Sequence, residues 1–444
     1  MTKIWYSTAF VWTLHRLKIK IVAFIRMNSN KPSTYKGVLT PLPIRLLNAI
    51  ARSLKQISNN TELLEVQNLL EKASNKTQLD DWGHPSVREA LEVLLESVGR
   101  EGNLTYFGRF TLRQFLIGKL CNRLRIIEAL KRFPEIKNQQ IRRPLFITGW
   151  YRCGTTYLYN LLATHPQVRA PLYWELMHPC PAFDPRNINP QELIRKTKLA
   201  NRIHRYLAPG FNRAHSMAAE KPEECLHLFE NAGMGTTAFF ITEAKSFAWW
   251  LLDHDIGPGY RFYEYQLKLL NWLRPGGRWV LKWPYHLWHM DALLEAFPDA
   301  TVIHIHRDPR EAIASVCSMA ALARGPFCER IDNAALGQFW TEYNEAGWQR
   351  GLASRAKAGP GQIIDVGYAD LITDPSAVIQ RMLATADLEP DDPWLNSLPS
   401  DRTKKQVKNH ERHQYTLSQF GLDADNIRRR FTDYIKTYDL GVKS

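Results

Sequence analysis

The sequence predicts an α/β protein in which a central parallel sheet is flanked by helices and preceded by a helical N-terminal extension. In residues 1–142, apolar positions recur at helical spacing, as in the segment Ser86–Glu96. From residue 143 onward, short apolar runs alternate with helix-like segments, which is typical of parallel strands joined by helical crossovers. One of the strand-to-helix junctions also carries a glycine-containing loop.

Four strands are predicted in the second part of the chain, from residue 143 onward. They are Leu145–Thr148, Trp279–Leu281, Thr301–Ile305 and Gln362–Val366. The chain has 444 residues, but no linker, repeat or low-complexity run divides it. We therefore expect one α/β core at 143–444, with the extension at 1–142 packed on it. The aromatic-rich insertion at 164–277 is expected to wall a binding pocket, although core packing explains such aromatics equally well.

The junction after the first predicted strand is the most informative segment. Gly149, four intervening residues and Gly154 precede Thr155 and Thr156, which is the spacing of a P-loop with threonine in place of the usual lysine. Arg152 lies inside this loop. Backbone amides at a helix N-terminus bind anions, so the sequence predicts a P-loop-like core that binds phosphate or sulfate. Chance spacing with simple helix capping is the alternative, and the strand-loop-helix context argues against it.

A second junction, after the third predicted strand, adds further anion ligands. Arg307 follows the strand, Pro309 can begin a helix without losing a needed donor, and Ser315 lies two turns along that helix. A guanidinium and a hydroxyl placed in this way can clamp a phosphate monoester. The alternative interpretation is a structural ion pair between Arg307 and Asp308.

The overall charge restricts the class of partner. There are 58 Lys and Arg residues against 44 Asp and Glu residues, a net charge of +14, which suits a polyanionic ligand, a nucleic acid or an acidic membrane. No RNA-binding signature is present, so nucleic acid is disfavoured. The six cysteines show no metal-ligand or disulfide spacing, which favours a reducing cytoplasm.

Residues 4–25 form an apolar segment near the N-terminus. His15, Arg16, Lys18 and Lys20 interrupt it too often for a membrane-spanning helix, and it lacks the small-residue cleavage site of a signal peptide. A helix lying on a membrane surface and a helix docked on the protein are both compatible with this pattern.

Together, the two junction motifs resemble the sulfotransferase superfamily that uses 3′-phosphoadenosine-5′-phosphosulfate (PAPS), and its bacterial sulfotransferase-like branch in particular. The segments that carry the resemblance are Pro144–Thr156, Trp174–Glu175, Trp279–His286, Phe297–Ala300, His306–Pro309, Tyr368–Leu371, His413–Tyr415 and Phe420–Leu422. The resemblance covers nearly everything from residue 90 onward. It implies transfer of a sulfuryl group from PAPS to a hydroxyl or amine of a small-molecule, glycan or lipid acceptor.

The resemblance also implies a set of donor-binding residues. The first loop would bind the 5′-phosphosulfate, and the second motif the 3′-phosphate. By position, these residues are Tyr151, Arg152, Cys153, Gly154, Thr155, Thr156, Arg307, Ser315 and Tyr368. No metal is expected, because a transferring sulfuryl group carries less charge than a phosphoryl group and needs less counter-charge.

Transfer also requires a base for the acceptor proton and a cation near the leaving oxygen. Glu175 lies where several relatives place a catalytic glutamate, and His286 is the rival base; the choice stays open here. Lys282, at the end of the second predicted strand, resembles the lysine that assists transfer in relatives with a Lys-x-Pro motif. A structural salt bridge is the alternative for Glu175. Glu223 and Glu224 either approach the acceptor or begin a helix.

Two other function classes compete with this interpretation. A P-loop kinase would need a lysine at position 155 and an acidic strand end for magnesium, and the sequence shows neither. A non-catalytic nucleotide-binding scaffold would keep donor affinity while tolerating loss of Glu175 and Lys282. The acceptor and the oligomeric state do not follow from the sequence.

Overall fold

A computed structural model describes residues 41–53, 64–181, 184–398 and 416–440. The apolar segment at 4–25 and the motif residues 413–415 lie outside the described residues, so the predictions made for them are not addressed by the structure.

A five-stranded parallel sheet forms the centre of the protein. Its strands are β1 (Leu145–Gly149), β2 (Val168–Arg169), β3 (Arg278–Lys282), β4 (Thr301–His306) and β5 (Ile363–Gly367). The spatial order is β2-β3-β1-β4-β5, and every neighbouring pair is parallel. The predicted α/β class and its four strands are therefore confirmed. The additional strand β2 has two residues, too few to show a strand pattern in the sequence.

Helices surround this sheet. Those before β1 are α1 (Leu42–Ser53), α2 (Val66–Thr77), α3 (Ser86–Glu101) and α4 (Tyr106–Arg132). Those between β1 and β3 are α5 (Thr155–Leu162), α6 (Tyr173–Met177), α7 (Pro190–Leu207), α8 (Pro209–Ala214), α9 (Leu226–Glu230), α10 (Thr237–Ile241), α11 (Lys245–Asp253) and α12 (Gly257–Leu273). Those after β3 are α13 (Met290–Ala296), α14 (Pro309–Arg324), α15 (Asn333–Arg355), α16 (Tyr368–Thr373), α17 (Pro375–Ala386), α18 (Asp392–Ser397), α19 (Ala424–Arg430) and α20 (Thr432–Thr437). Short 3-10 turns occur at Pro134–Ile136, Pro284–His289 and Leu417–Phe420.

The N-terminal helices pack on the sheet and share its core. Leu91 of α3, Leu120 of α4, Phe146 of β1 and Val302 of β4 are all buried in one contiguous apolar cluster. Burial of this shared apolar surface is the main force that holds the extension in place. Within the described ranges, no helix combines the length and the apolar character needed to cross a bilayer.

The strand register brings three strand ends together. In β1, Ile147 pairs with Lys282 of β3 on one side, and Gly149 pairs with Ile305 of β4 on the other. The chain reaches β2 and β3 on one side of β1 before it crosses to β4 and β5 on the other, which makes β1 the switch point of the sheet. Ligands of such sheets bind at the carboxyl ends of the strands beside the switch point.

Candidate active site

The loop after β1 is shaped by two glycines with positive φ. A side chain at Gly149 (φ 142°) would place its Cβ 2.4 Å from the carbonyl oxygen of Ile305. At Gly154 (φ 95°), the Cβ would lie 2.9 Å from the ring of Tyr368. Because β4 and α16 approach so closely, only glycine fits at these two positions. The loop is therefore held at the sheet edge, where α5 begins at Thr155.

The two predicted anion-binding motifs are in direct contact. A guanidinium nitrogen of Arg307 donates to the backbone carbonyl of Arg152 over 2.5 Å, and the guanidinium carbon lies 4.2 Å from the centroid of the Tyr368 ring. Ser315 is buried two turns into α14. The structure thus brings the loop, Arg307 and Tyr368 together beside the ends of β1, β4 and β5.

The alternative ion pair at the second motif is not formed. Asp308 pairs instead with Arg310 (2.6 Å) and accepts a hydrogen bond from the Arg310 amide, which caps α14. Arg307 pairs with Glu311, one turn along the same helix. The structure therefore does not support the alternative Arg307–Asp308 pair, because the aspartate is used as a helix cap.

Arg152 is connected to the insertion by its side chain. Its backbone has a φ of 68°, and its guanidinium donates to the carbonyl oxygen of Ala214 over 2.9 Å. Ala214 is the last residue of α8. This hydrogen bond connects the loop after β1 to the α7–α8 segment of the insertion.

A buried lysine lies on the other side of the loop. The ammonium group of Lys282, at the end of β3, is 3.1 Å from the hydroxyl of Thr156 and forms an ion pair with Glu224. The Lys282 side chain is 1% exposed and that of Glu224 is 15% exposed. The amide of Cys225 donates to the Lys282 carbonyl over 3.1 Å, and this bond fixes the neighbouring Glu224 beside the lysine.

Next to this cluster, Glu223 and His215 form a second ion pair with an N–O distance of 3.2 Å. Burial alone would raise the pKa of Glu223, but the charges of His215 and Lys282 and a hydrogen bond from His215 lower it to about 2. Burial also opposes the charged form of His215, yet Glu223 raises the histidine pKa above its ordinary value. Both partners are therefore charged in moderately acidic solution, below the ordinary histidine pKa.

Glu175 is held by two arginines and a backbone amide. Its carboxylate lies 3.3 Å from Arg169 and 2.9 Å from Arg274, and it accepts a hydrogen bond from the Leu172 amide over 2.8 Å. The residue is 3% exposed at the start of α6. This arrangement matches the structural salt bridge considered as the alternative, although it does not test a role in catalysis.

His286 is enclosed in the core. Its Nε2 lies 3.2 Å from the Cys225 sulfur and its Nδ1 lies 2.7 Å from the Tyr260 hydroxyl, and the residue has no exposed surface. Burial lowers its pKa to about 3, so the ring is neutral. Trp283 packs against it with the ring centroids 5.3 Å apart. The histidine is thus enclosed by Cys225, Tyr260 and Trp283.

Two predicted donor-binding residues point into the core. Tyr151 packs against Phe240 and Trp340, with ring centroids 5.3 and 5.6 Å away. Cys153 is fully buried, and burial raises the pKa of its thiol to about 12, so it stays protonated. Any contact of these residues with the donor would therefore be made by their backbone.

One group of described side chains has the spacing of a metal site, namely His304, His306 and Asp365. Arg355 already donates to both carboxylate oxygens of Asp365, at 2.7 and 2.5 Å, and His306 donates to one of them over 2.8 Å. The carboxylate charge is therefore compensated within the protein.

The fold agrees with comparisons to known proteins. The model of the sulfotransferase family matches residues 144–392, more than half of the chain. This protein therefore belongs to the sulfotransferase family, as the resemblance implied.

Among solved structures, the chain is similar to sulfotransferase STF1 from Mycobacterium tuberculosis H37Rv, with 31% identity and a TM-score of 0.72, covering 83% of this chain and 98% of that one. It is also similar to sulfotransferase STF9 from Mycobacterium avium, with 25% identity and a TM-score of 0.74, covering 85% of this chain and 97% of that one.

Curated relatives match over a shorter length. They are the omega-hydroxy-beta-dihydromenaquinone-9 sulfotransferases Stf3 of Mycobacterium bovis and Mycobacterium tuberculosis, each 24% identical over 256 residues. The match covers 54% of this chain and 61% of each relative.

Proposed function

We propose that the protein transfers a sulfuryl group from PAPS to a hydroxyl or amine of an acceptor molecule. The observation that carries this proposal is the position of Lys282. The sequence has threonine where a P-loop has its lysine. The ammonium group of Lys282, at the end of β3, nevertheless lies 3.1 Å from the hydroxyl of Thr156. A cation is thus present beside the loop, where charge develops on the leaving oxygen.

The donor would lie along the carboxyl ends of the central strands. The amides and hydroxyls at the start of α5 would hold the 5′-phosphosulfate. Arg307, fixed over Tyr368 and against the loop, and Ser315 would hold the 3′-phosphate. These assignments extend the family resemblance to residues that the structure places at one edge of the sheet.

Glu224 is the carboxylate best placed to act as the base. In the transfer step, the acceptor oxygen forms a bond to sulfur while the bond from sulfur to the phosphate oxygen breaks. The acceptor proton passes to the base, and Lys282 stabilises the charge left on the phosphate. Glu224 is partly exposed and pairs with Lys282, whereas Glu175 and His286 are enclosed by protein partners. The predicted catalytic roles of Glu175 and His286 remain predictions.

We propose a hydrophobic hydroxylated lipid as the acceptor class. The support is the similarity to the Stf3 relatives, which are omega-hydroxy-beta-dihydromenaquinone-9 sulfotransferases. The aromatic insertion also packs against the loop after β1, with Phe240 against Tyr151. The expected cytoplasmic location is supported by the six cysteines, which are all buried and form no disulfide.

The kinase alternative is not favoured. No acidic side chain ends β1 or β3, whereas magnesium-dependent phosphoryl transfer in P-loop enzymes uses an acidic residue at a strand end to hold the metal. The proposed mechanism assigns no role to a metal, because Lys282 and the loop amides supply the positive charge. The family match also points to sulfuryl transfer.

A thermal-shift titration tests the donor class. The product nucleotide 3′-phosphoadenosine-5′-phosphate should raise the melting temperature strongly, and ADP and ATP should raise it little, because a ligand that binds only the folded state stabilises it. The variant Arg307→Ala should lose most of this preference. Arg310→Ala, which removes the neighbouring arginine bound to Asp308, should keep it. Equal stabilisation by ADP would contradict the proposal.

A further inference from the structure

The helix α7 has one face that no other described part of the chain covers. Its buried side consists of Leu193, Ile194, Thr197 and Asn201. Leu193 and Ile194 pack with Trp174 in a small apolar cluster that fastens the helix to the rest of the insertion. The opposite side of the helix faces solvent.

The solvent side carries two large apolar residues between arginines. Arg195, Leu199, Arg202 and Tyr206 follow one another at intervals of four, three and four residues, so they form one strip along the helix. Leu199 is 47% exposed and Tyr206 is 60% exposed. Of the five large hydrophobic residues that are exposed in the described part of the chain, two therefore lie on this strip.

The charge of the helix is strongly positive. Lys196 pairs with Glu192 over 2.6 Å, and Lys198 pairs with Glu220. Arg195, Arg202 and Arg205 have no acidic partner among the described residues. These arginines lie on or beside the apolar strip, and positive charges that form no close ion pair favour a negatively charged partner.

We propose that the α7 strip docks the protein on a membrane surface that contains anionic lipids. Helices that lie in the interface plane combine a strip of Leu and aromatic residues with flanking arginines, whose long stems reach from the acyl boundary to the phosphate layer. A duplex nucleic acid would use the arginines and leave Leu199 and Tyr206 without a partner. This inference goes beyond the proposed function and does not depend on it.

The strip on α7 lies close to the proposed active site. The short helix α8 follows α7 directly, and its last carbonyl, at Ala214, accepts a hydrogen bond from Arg152 of the phosphate loop. The membrane-facing helix is therefore one short helix away from the donor loop. Docking would hold the site near the bilayer surface, where a lipid hydroxyl is available.

Vesicle sedimentation tests the proposal on the full chain. The wild-type protein should bind vesicles of phosphatidylcholine with phosphatidylglycerol, bind phosphatidylcholine vesicles at least tenfold more weakly, and be released by salt. Leu199→Asp and Tyr206→Asp should each weaken binding about tenfold, because each removes an apolar contact and adds a negative charge. Leu352→Asp is the matched control, since Leu352 is 40% exposed on α15, and it should bind like wild type.

Three results would overturn the proposal: no binding of the wild-type protein, full binding of both strip variants, or equal weakening by Leu352→Asp. A fourth result would also overturn it: light scattering shows that the wild-type protein is a dimer, Leu199→Asp dissociates this dimer, and neither protein binds vesicles. The strip would then join two copies of the chain. Stabilisation by 3′-phosphoadenosine-5′-phosphate, measured on each variant, shows that the fold is intact. If 3′-phosphoadenosine-5′-phosphate does not stabilise the wild-type protein, but the strip variants still weaken vesicle binding, the proposed function is wrong and the docking proposal is supported.

Discussion

Two glutamates in this protein are held by positively charged side chains, but their surroundings differ. Glu175 is 3% exposed, and two arginines and a backbone amide bind its carboxylate. The Glu224 side chain is 15% exposed, pairs with Lys282, and lies at the carboxyl edge of the sheet. The first cluster connects β2, α6 and the end of α12, whereas the second lies beside the phosphate loop.

The difference predicts which of the two ion pairs is functional and which is structural. All partners of Glu175 are internal, so the cluster is complete without a ligand. The pair of Lys282 and Glu224 also contacts Thr156 of the loop, and Glu224 keeps an exposed surface through which an acceptor can reach it. We therefore expect substitutions in the first cluster to change stability and substitutions in the second to change turnover.

The largest expected effect is that of Lys282→Met. This variant removes the cation beside the leaving oxygen and should lower the transfer rate about 10³-fold, the size of effect seen when one transition-state donor is lost. The measurement is the rate of labelled sulfate transfer from PAPS to a hydroxylated prenyl lipid. Lys268→Met, which removes a lysine paired with Glu264 on α12, is the control and should leave the rate within about twofold. A rate for Lys282→Met close to that of wild type would show that the Lys282–Glu224 pair is structural, like the cluster around Glu175.

Glu175→Gln should mainly reduce stability. It leaves the buried Arg169 without its carboxylate partner, and loss of one partner of a buried pair costs about 3 kcal/mol. Urea unfolding measures this free energy. The folded fraction should keep a transfer rate within a few-fold of wild type, and a normal stability combined with a large loss of rate would assign the catalytic role to Glu175 after all.

Gly154→Ala should disturb the loop to a smaller extent. The residue has a φ of 95°, and an added Cβ would contact the Tyr368 ring, so the strain should cost about 1–3 kcal/mol in total stability. Stabilisation by 3′-phosphoadenosine-5′-phosphate should also weaken, which the thermal-shift titration detects. Gly361→Ala is the control for backbone strain alone, because Gly361 also has a positive φ (75°) but no atom near its added Cβ.

The smallest expected effect is a pH dependence of stability from His215. Its pKa is raised by Glu223, so the folded state holds the proton more tightly than the unfolded state does. The stabilisation is present below the ordinary histidine pKa and is lost as pH rises through the raised value. As pH rises from about 6 through the raised value, wild type should lose more of its free energy of unfolding than His215→Gln does, measured by urea unfolding. Identical pH profiles would show that the pair does not contribute.

Much of the site could be predicted from the sequence because its residues lie at strand ends. Arg307 and Lys282 each follow an apolar run, and the loop glycines have a recognisable spacing. The pairing of Glu224 with Lys282 joins residues 58 positions apart, and no local pattern predicts such a contact. The surroundings of Glu175 depend in the same way on Arg274, which is brought to it only by the packing of α12.

The rate of sulfate transfer by Glu224→Gln tests the central claim most directly. This variant keeps a hydrogen-bonding group beside Lys282 but removes the proton acceptor, so single-turnover transfer should fall about 10²-fold or more, with 3′-phosphoadenosine-5′-phosphate still raising the melting temperature. The same measurement on Glu175→Gln gives the comparison. A transfer rate for Glu224→Gln equal to that of wild type, with a large loss for Glu175→Gln, would contradict the account.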